Sequence, residues 1–284
     1  MQNPQDAPNR PATSGISAIP AASTTLVAPD AADTPPALAA QGLVLQHRGS
    51  RVVDQVSLAL PERGAIALIG PNGAGKSSLL SMLAGLQTPS QGQVLWHGAP
   101  LQRLSFAERA RCIGYMPQRF APYWDVTLAE LLQMRLGPSV DMDDVLQQHG
   151  LQAFASRRWN SLSGGEQARC LLATVLATDP PVLLADEPGA ALDVRHRLEL
   201  VEALAERGRD KLVLVVMHDL DLAFAHFDRV IAMDRGRVVQ DRAAQDLLTD
   251  PALDAVFQVE FDRIDAPPQV LLRARRKKED GCAD

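Results

Sequence analysis

The hydrophobic positions along this chain form short apolar runs that alternate with amphipathic segments. Runs at 65–69, 182–185 and 212–217 have the length of buried strands. The segments 78–84 and 194–207 carry apolar residues at helical spacing and predict helices. Because strands that alternate with helices pair in parallel, we predict an α/β fold with a mixed or parallel core sheet.

Two other patterns extend this core. An N-terminal antiparallel β subdomain is indicated by short predicted strands at 43–45, 52–53, 56–60 and 93–96. A mostly helical region follows, and Thr127 and Glu130 have the spacing of a capping box at its start. We therefore expect a β subdomain and a helical subdomain to flank the main sheet.

Composition divides the chain into three parts. Residues 1–38 are rich in Ala, Pro, Ser and Thr, and we expect them to be disordered because they offer little apolar surface to bury. The folded domain is predicted at 39–262, with its helical subdomain at about 119–178. Residues 263–284 are interpreted as a tail, and the basic run at 273–278 within it as a solvated, frayed terminus.

Charge, cysteine content and hydropathy exclude several classes of protein. The formal net charge is −6, from 28 Lys and Arg against 34 Asp and Glu, so we expect no nucleic-acid partner. The three cysteines are widely spaced and lack the pattern of a disulfide framework or a zinc site. Since the apolar runs are too short to cross a bilayer, work at a membrane would need another chain to supply the span.

A glycine-rich loop between a predicted strand and a predicted helix carries the clearest chemical signal. In this context the backbone N–H groups of the loop face one concavity at a helix N-terminus, which favours phosphate. Lys76 would reach the β and γ phosphates, and the Ser77 hydroxyl would ligate Mg2+. The candidate nucleotide-binding residues are Gly70, Pro71, Asn72, Gly73, Ala74, Gly75, Lys76, Ser77 and Ser78.

Candidate catalytic side chains follow two of the predicted core strands. Asp186 and Glu187 come directly after one strand, and His218 after the next. Ligands of open α/β sheets bind at this carboxyl edge. We expect Asp186 to bind Mg2+ through a water and Glu187 to act as the base or to orient the attacking water. We expect His218 to bind the γ phosphate and to hold Glu187 in place.

Further motifs complete an ordered set with these residues: Gln118 after a strand, the segment Leu-Ser-Gly-Gly-Glu-Gln at 162–167, and Asp193. With this set, about residues 41–262 resemble the ATPase subunits of ATP-binding cassette (ABC) transporters. The resemblance implies a P-loop NTPase cassette fold, a helical signature subdomain, and ATP and Mg2+ as cofactors.

The resemblance also implies roles that only a second copy of the chain would complete. It assigns to the γ phosphate of that copy the signature residues Ser163, Gly164, Gly165, Glu166 and Gln167. It places Gln118 at Mg2+ and the attacking water, and Asp193 in communication across a dimer interface. It further implies a transmembrane permease, with the aromatic segment 120–124 as an exposed patch that receives one of its helices.

Several positions depart from the family pattern. His47 stands where the family usually has an aromatic residue that stacks on adenine, so base recognition is expected to be weaker, and Arg48 could stack instead. The departures at 190 and 173–176 remove no phosphate ligand, and we expect hydrolysis to survive them.

The segments 114–118 and 247–260 resemble the subset of these ATPases that energises uptake of iron-siderophore, haem and cobalamin complexes. This resemblance implies a peripheral location on the cytoplasmic face of the cell membrane and an indirect partnership with a substrate-binding protein. The alternatives are a zinc, manganese or molybdate importer, an exporter, and a soluble cassette protein outside transport. A basic DNA-binding face is not recognisable in the sequence, which disfavours the last alternative.

Overall fold

The computed structural model describes residues 36–136, 141–266 and 269–276. The predicted disorder of residues 1–38 therefore lies outside the described residues except at its last three positions, as do the last two residues of the basic run at 273–278. Within the described ranges, we find no helix with the length and hydrophobicity needed to cross a bilayer.

Strands and helices alternate through most of the chain. The strands are β1 (Leu38–His47), β2 (Ser50–Leu60), β3 (Gly64–Ile69), β4 (Gln91–Trp96), β5 (Ala99–Pro100), β6 (Ile113–Met116), β7 (Val182–Asp186), β8 (Leu212–Val216), β9 (Arg229–Asp234), β10 (Arg237–Ala243), β11 (Glu260–Ala266) and β12 (Gln269–Arg275). The helices are α1 (Lys76–Leu83), α2 (Phe106–Cys112), α3 (Leu128–Leu136), α4 (Met142–Gln148), α5 (Gly164–Leu176), α6 (Val194–Arg207), α7 (Leu220–His226), α8 (Ala244–Thr249) and α9 (Ala252–Phe257).

The central sheet has the strand order β10-β9-β3-β8-β7-β6. Its pairs are parallel from β9 to β6, and β10 joins antiparallel to β9, which confirms the predicted mixed sheet. The carboxyl ends of β3, β6, β7 and β8 therefore lie along one edge. Asp186, at the end of β7, is in register with Val216, two residues before His218.

Apolar side chains cover the central sheet on both faces. Along β3, Ala65, Ala67 and Ile69 pack into one buried cluster, while Ile66 and Leu68 pack into the other. A strand buried on both faces reads as a continuous apolar run, and this is the pattern that identified β3, β7 and β8 in the sequence.

A separate antiparallel sheet, with the order β2-β1-β4-β5, confirms the predicted N-terminal β subdomain. The sequence predicted two strands at 52–53 and 56–60, whereas β2 runs unbroken through both. Gln55 adopts a left-handed backbone at φ 54° within it, and pairing with β1 is irregular nearby. Backbone pairing thus continues across a local distortion that interrupts the apolar alternation.

The helical subdomain contains α3, α4 and α5. The capping box at its start is present: the Thr127 N–H donates to Glu130 Oε2 at 2.7 Å, and the Glu130 N–H donates to Thr127 Oγ1 at 3.2 Å. Trp159 is buried beneath these helices and contacts Phe120 edge to face, with 5.2 Å between ring centroids. The subdomain is therefore packed onto the segment that follows β6.

The predicted boundary at 262 is wrong, because it falls inside β11. Strands β11 and β12 form an antiparallel hairpin that continues the fold to Arg275, so residues 273–275 are paired rather than frayed. Phe261 and Leu272 pack on the main core, and the Leu272 N–H donates to Asp221 Oδ1 of α7 at 2.9 Å. Burial on one face orders this segment although its other face is highly charged.

Candidate functional site

The glycine-rich loop connects β3 to α1 and depends on two glycines. Gly70 has φ 142°, and a Cβ there would lie 2.1 Å from the carbonyl oxygen of Met233. Gly75 has φ 95°, and a Cβ there would lie 2.4 Å from the carbonyl oxygen of Val52. Any other residue would collide with backbone at both positions. The neighbouring strands thus hold the loop in one shape at the N-terminus of α1.

Lys76, the first residue of α1, is only 6% exposed. Its ammonium donates to the carbonyl oxygens of Gly70, at 2.7 Å, and Pro71, at 3.0 Å. Burial lowers the pKa of Lys76, while the charges of Glu187 and Asp186 act in the opposite direction. The loop therefore holds a buried cation beside two carboxylates.

Asp186 ends β7 and is 4% exposed. Burial raises the pKa of its carboxyl group, and the Ser77 hydroxyl and the Lys76 charge oppose that shift. Its Oδ1 atom is buried without a hydrogen-bond partner among the described residues. An unpaired carboxylate oxygen beside a hydroxyl fits Mg2+, which prefers oxygen ligands.

Glu187 is the point at which the three candidate catalytic side chains meet. It has a left-handed backbone at φ 48°, and its side chain is 15% exposed. The Gln118 amide donates to Glu187 Oε2 at 2.5 Å, and His218 Nε2 shares a short hydrogen bond with Glu187 Oε1. The predicted contact between His218 and Glu187 is therefore present. Glu187 also borders the cleft formed by residues 72–78 of the glycine-rich loop.

The signature segment forms the start of α5. Ser163 is the N-cap, and its hydroxyl accepts a hydrogen bond from the Glu166 N–H at 3.3 Å. A Cβ on Gly164 would lie 3.3 Å from Ala191 Cβ, so this turn packs closely on the segment that leads to Asp193. The Gln167 amide donates to the Trp159 carbonyl at 3.0 Å and is thereby used within the helical subdomain.

Asp193 caps α6 by accepting a hydrogen bond from the His196 N–H at 2.9 Å, and this bond is the main cause of its lowered pKa. Arg197, which was not predicted from the sequence, forms hydrogen bonds with the segment before Asp193. Its guanidinium donates to the carbonyls of Leu192, at 3.0 Å, and Gly189, at 3.3 Å. Its position one helical turn after an N-cap is the only sequence signal that could have identified it.

The residue predicted to contact adenine, His47, does not line the cleft of the glycine-rich loop. His47 is exposed at the end of β1 and pairs with Ser50, and it is not among the residues that border the glycine-rich cleft. Val52, which the sequence analysis missed, borders that cleft, and its carbonyl abuts Gly75. Strand β2, rather than the end of β1, thus provides the wall of the cleft.

The aromatic segment 120–124 divides into two parts. Tyr123 and Trp124 are 91% and 70% exposed, with their rings in an edge-to-face pair. Phe120, in contrast, is partly buried and packs on Trp159 against the core. The exposed patch predicted for this segment is therefore confined to Tyr123 and Trp124.

Comparison with known proteins agrees with this arrangement. A family model described as ABC transporter matches residues 53–190. The hemin import ATP-binding protein HmuV of Nocardia farcinica is 42% identical over 246 residues, which cover 81% of this chain and 85% of that protein. The cobalamin import ATP-binding protein BtuD of Halobacterium salinarum is 38% identical over 76% of this chain, and the match spans 57% of the length of that relative.

Solved structures share the fold. A dimeric structure of the ATP-binding cassette MJ0796, in a post-hydrolysis state bound to ADP and Pi, superposes with a TM-score of 0.66 at 25% identity. The superposition covers 73% of this chain and 98% of the MJ0796 chain. A nucleotide-free ATP-binding cassette from an ABC transporter superposes with a TM-score of 0.67 at 21% identity, over 77% of this chain and 97% of that one.

Proposed function

The chain belongs to the ABC transporter family as an ATP-hydrolysing, ATP-binding subunit, and we propose that it powers a separate permease that imports a metal chelate of the iron-siderophore, haem or cobalamin type. The observation that carries the catalytic part is the meeting of Gln118 and His218 on Glu187, beside the glycine-rich loop. The import of a chelate is supported by the names of the relatives, HmuV and BtuD.

The loop residues Gly70 to Ser78 would bind the phosphates of ATP. Their backbone N–H groups lie at the start of α1, where the helix dipole favours anions. Lys76 would exchange its two carbonyl partners for phosphate oxygens, which accept hydrogen bonds from an ammonium more strongly. Ser77, Asp186 and Gln118 would hold Mg2+, which neutralises charge on the β and γ phosphates when bound.

Glu187 would orient the attacking water and accept its proton. Gln118 and His218 each contact one carboxylate oxygen of Glu187, so they fix the plane of the carboxylate at the sheet edge. His218 would also bind the γ phosphate. In this type of reaction positioning and electrostatics provide most of the rate enhancement.

A second copy of the chain would complete the site. Ser163 and the backbone of Gly164 and Gly165 would contact the γ phosphate held by the partner, with Glu166 and Gln167 supporting the turn. Asp193, in the segment packed against this turn, would report on the opposite site. The dimeric state of the cassette MJ0796 supports this arrangement.

The remaining partners follow from the import proposal. The exposed pair Tyr123 and Trp124 would receive a helix of the permease and keep the protein at the cytoplasmic face of the membrane. A substrate-binding protein would deliver the chelate to that permease.

His47 or Arg48, beside β2, would stack on the adenine ring.

The nucleotide site is tested by Lys76→Ala. We expect this substitution to weaken ATP binding by at least about tenfold, because it removes the phosphate countercharge. Titration of the purified protein with a fluorescent ATP analogue measures the effect. Lys211→Ala is the control, since Lys211 pairs with Asp179 away from the loop. Equal affinity in Lys76→Ala and the unmodified protein would show that the site is misplaced.

The cargo is tested by reconstitution in vesicles with a candidate permease and its substrate-binding protein. We expect ATP-dependent uptake of a metal chelate. Uptake of a free divalent ion without the chelate would contradict the chelate proposal and would favour a zinc or manganese importer.

A further inference from the structure

Arg157 lies six residues before the signature serine and makes two contacts toward it. Its Nη1 donates to Glu166 Oε1 at 2.8 Å, and its Nη2 donates to the Ser161 carbonyl at 2.7 Å. The guanidinium also lies over the ring of Phe154, with 5.6 Å between its carbon and the ring centroid. This planar group is thus held on three sides, an arrangement that a lysine could not reproduce.

Glu166 connects Arg157 to Ser163 through hydrogen bonds to both residues. Its Oε2 accepts a hydrogen bond from the Ser163 N–H at 2.7 Å, while its Oε1 is taken by Arg157. The bond from Ser163 is the main cause of the lowered pKa of Glu166, and Arg157 adds to the shift. With both carboxylate oxygens engaged, the rotamer of Glu166 and the orientation of the Ser163 cap are fixed together.

The backbone of Arg157 is itself anchored to the start of α3. The Leu128 N–H donates to the Arg157 carbonyl at 3.2 Å, and the Trp159 N–H donates to the Val126 carbonyl at 2.8 Å. A bridge between Thr127 and Arg158 lies between these two bonds. The helical subdomain therefore positions the backbone of Arg157 through contacts that do not involve Glu166.

We propose that Arg157 is a positioning residue for the signature turn: it fixes Glu166, and Glu166 fixes the Ser163 hydroxyl and backbone that face the nucleotide of the second copy. The inference rests on the proposed function, because it assigns Ser163 to a γ phosphate. Hydrogen-bond donors aimed at phosphate act at about 2.7–3.1 Å, so a small rotation of the Ser163 cap costs affinity across the dimer interface.

The test uses ATP-driven dimerisation of the full chain in a Glu187→Gln background, in which we expect hydrolysis to be blocked. We expect Arg157→Ala to raise the ATP concentration needed for half-dimerisation about tenfold. We expect Arg157→Lys to recover only part of this loss, because lysine keeps the charge but not the double contact. Light scattering at a series of ATP concentrations measures both effects.

Two controls separate positioning from folding. Arg209→Ala removes a surface arginine that also pairs with a glutamate, Glu206, and should leave dimerisation unchanged. ATP affinity of the isolated chain should also be unchanged in Arg157→Ala, since Arg157 does not border the cleft of the glycine-rich loop. A structural role alone would lower the melting temperature without this selective loss of dimerisation.

A double-mutant cycle with Glu166→Gln completes the test. If Arg157 acts through Glu166, the combined variant should be no worse than the poorer single variant. Additive losses, or an unchanged ATP requirement in Arg157→Ala, would overturn the positioning role. Failure of Glu187→Gln alone to dimerise with ATP would instead contradict the proposed function itself.

Discussion

Two buried charges, Lys76 and Asp186, dominate the site at the scale of single residues. Burial lowers the pKa of Lys76 and raises the pKa of Asp186, so it favours the neutral form of each. The charge of each residue opposes the shift of the other. Burying a charge costs free energy unless it is paired. The site therefore stores an unfavourable arrangement that bound phosphate and Mg2+ would relieve, as is common where function and stability compete.

Asp186→Asn tests this competition. Folding raises the pKa of Asp186, so the ionised carboxylate is penalised in the folded state, and the penalty is fully present above the folded pKa. At neutral pH we expect the melting temperature without nucleotide to stay the same or rise. We also expect Mg2+ to lose its contribution to the thermal stabilisation by ATP. Differential scanning fluorimetry measures both effects.

Asp250→Asn is the matched control for that measurement. Hydrogen bonds from the Ala252 N–H and Arg242 lower the pKa of Asp250, so its ionised form is favoured by folding. This substitution should lower the melting temperature at neutral pH. A similar loss of stability in Asp186→Asn would show that the Asp186 carboxylate is stabilising and would contradict the account.

Residues that belong to a motif of fixed spacing could be predicted from the sequence. Residues whose role depends on a contact made only in the folded structure could not. The glycine-rich loop, Glu187 and His218 follow apolar runs whose ends share one edge. Arg157 and Arg197 bind backbone carbonyls of irregular segments. Apart from the position of Arg197 one helical turn after an N-cap, no sequence pattern indicates these contacts. Val52 borders the cleft only because β2 passes Gly75 in three dimensions.

At the scale of elements, the C-terminal hairpin is an ordered part of the fold although its sequence is highly charged. On its outward face Asp262 lies opposite Arg273, and Arg273 belongs to the basic run that was interpreted from the sequence as a frayed terminus. The inward face carries Phe261 and Leu272, which pack on the core beside α7. Because α7 begins directly after His218 and Asp219, the hairpin supports the helix that follows a candidate catalytic residue.

Arg263 secures this hairpin, and Arg263→Ala tests its contribution. Its guanidinium, in a side chain that is 22% exposed, donates to the carbonyls of Leu248, Asp250 and Phe261 and to the Asp254 carboxylate. We expect the substitution to lower the free energy of unfolding by about 2 kcal/mol, because several partly buried acceptors lose their donor. Urea denaturation followed by circular dichroism measures the change.

Arg273→Ala provides the comparison, since Arg273 is exposed on the outward face of the same hairpin. Its effect should stay within about 0.5 kcal/mol, as is usual for surface substitutions. If the two arginine variants were equally stable, the hairpin would not depend on Arg263 for its attachment.

At the scale of the whole molecule, strand order decides which residues meet. The sequence predicted the strands of the core, but the order β10-β9-β3-β8-β7-β6 depends on contacts between strands far apart in the chain. Apolar periodicity reports whether a strand is buried and carries no information about its neighbours. Resemblance to ABC ATPases therefore contributed the architecture that pattern alone could not.

The central claim is that two copies of this chain close around ATP. The groups that would contact each nucleotide are divided between the glycine-rich loop with Glu187 of one copy and the signature turn at Ser163 of the other. Glu187→Gln should bind Mg2+ and ATP without hydrolysis and so accumulate the closed state, because the amide cannot accept the proton of the attacking water.

Multi-angle light scattering of Glu187→Gln with Mg2+ and ATP is the most direct test. We predict a particle of twice the 30.6 kDa mass of the chain, formed with ATP and lost when Lys76→Ala is added. The single-chain mass at saturating ATP, or a dimer that persists in the Lys76→Ala double variant, would contradict the account.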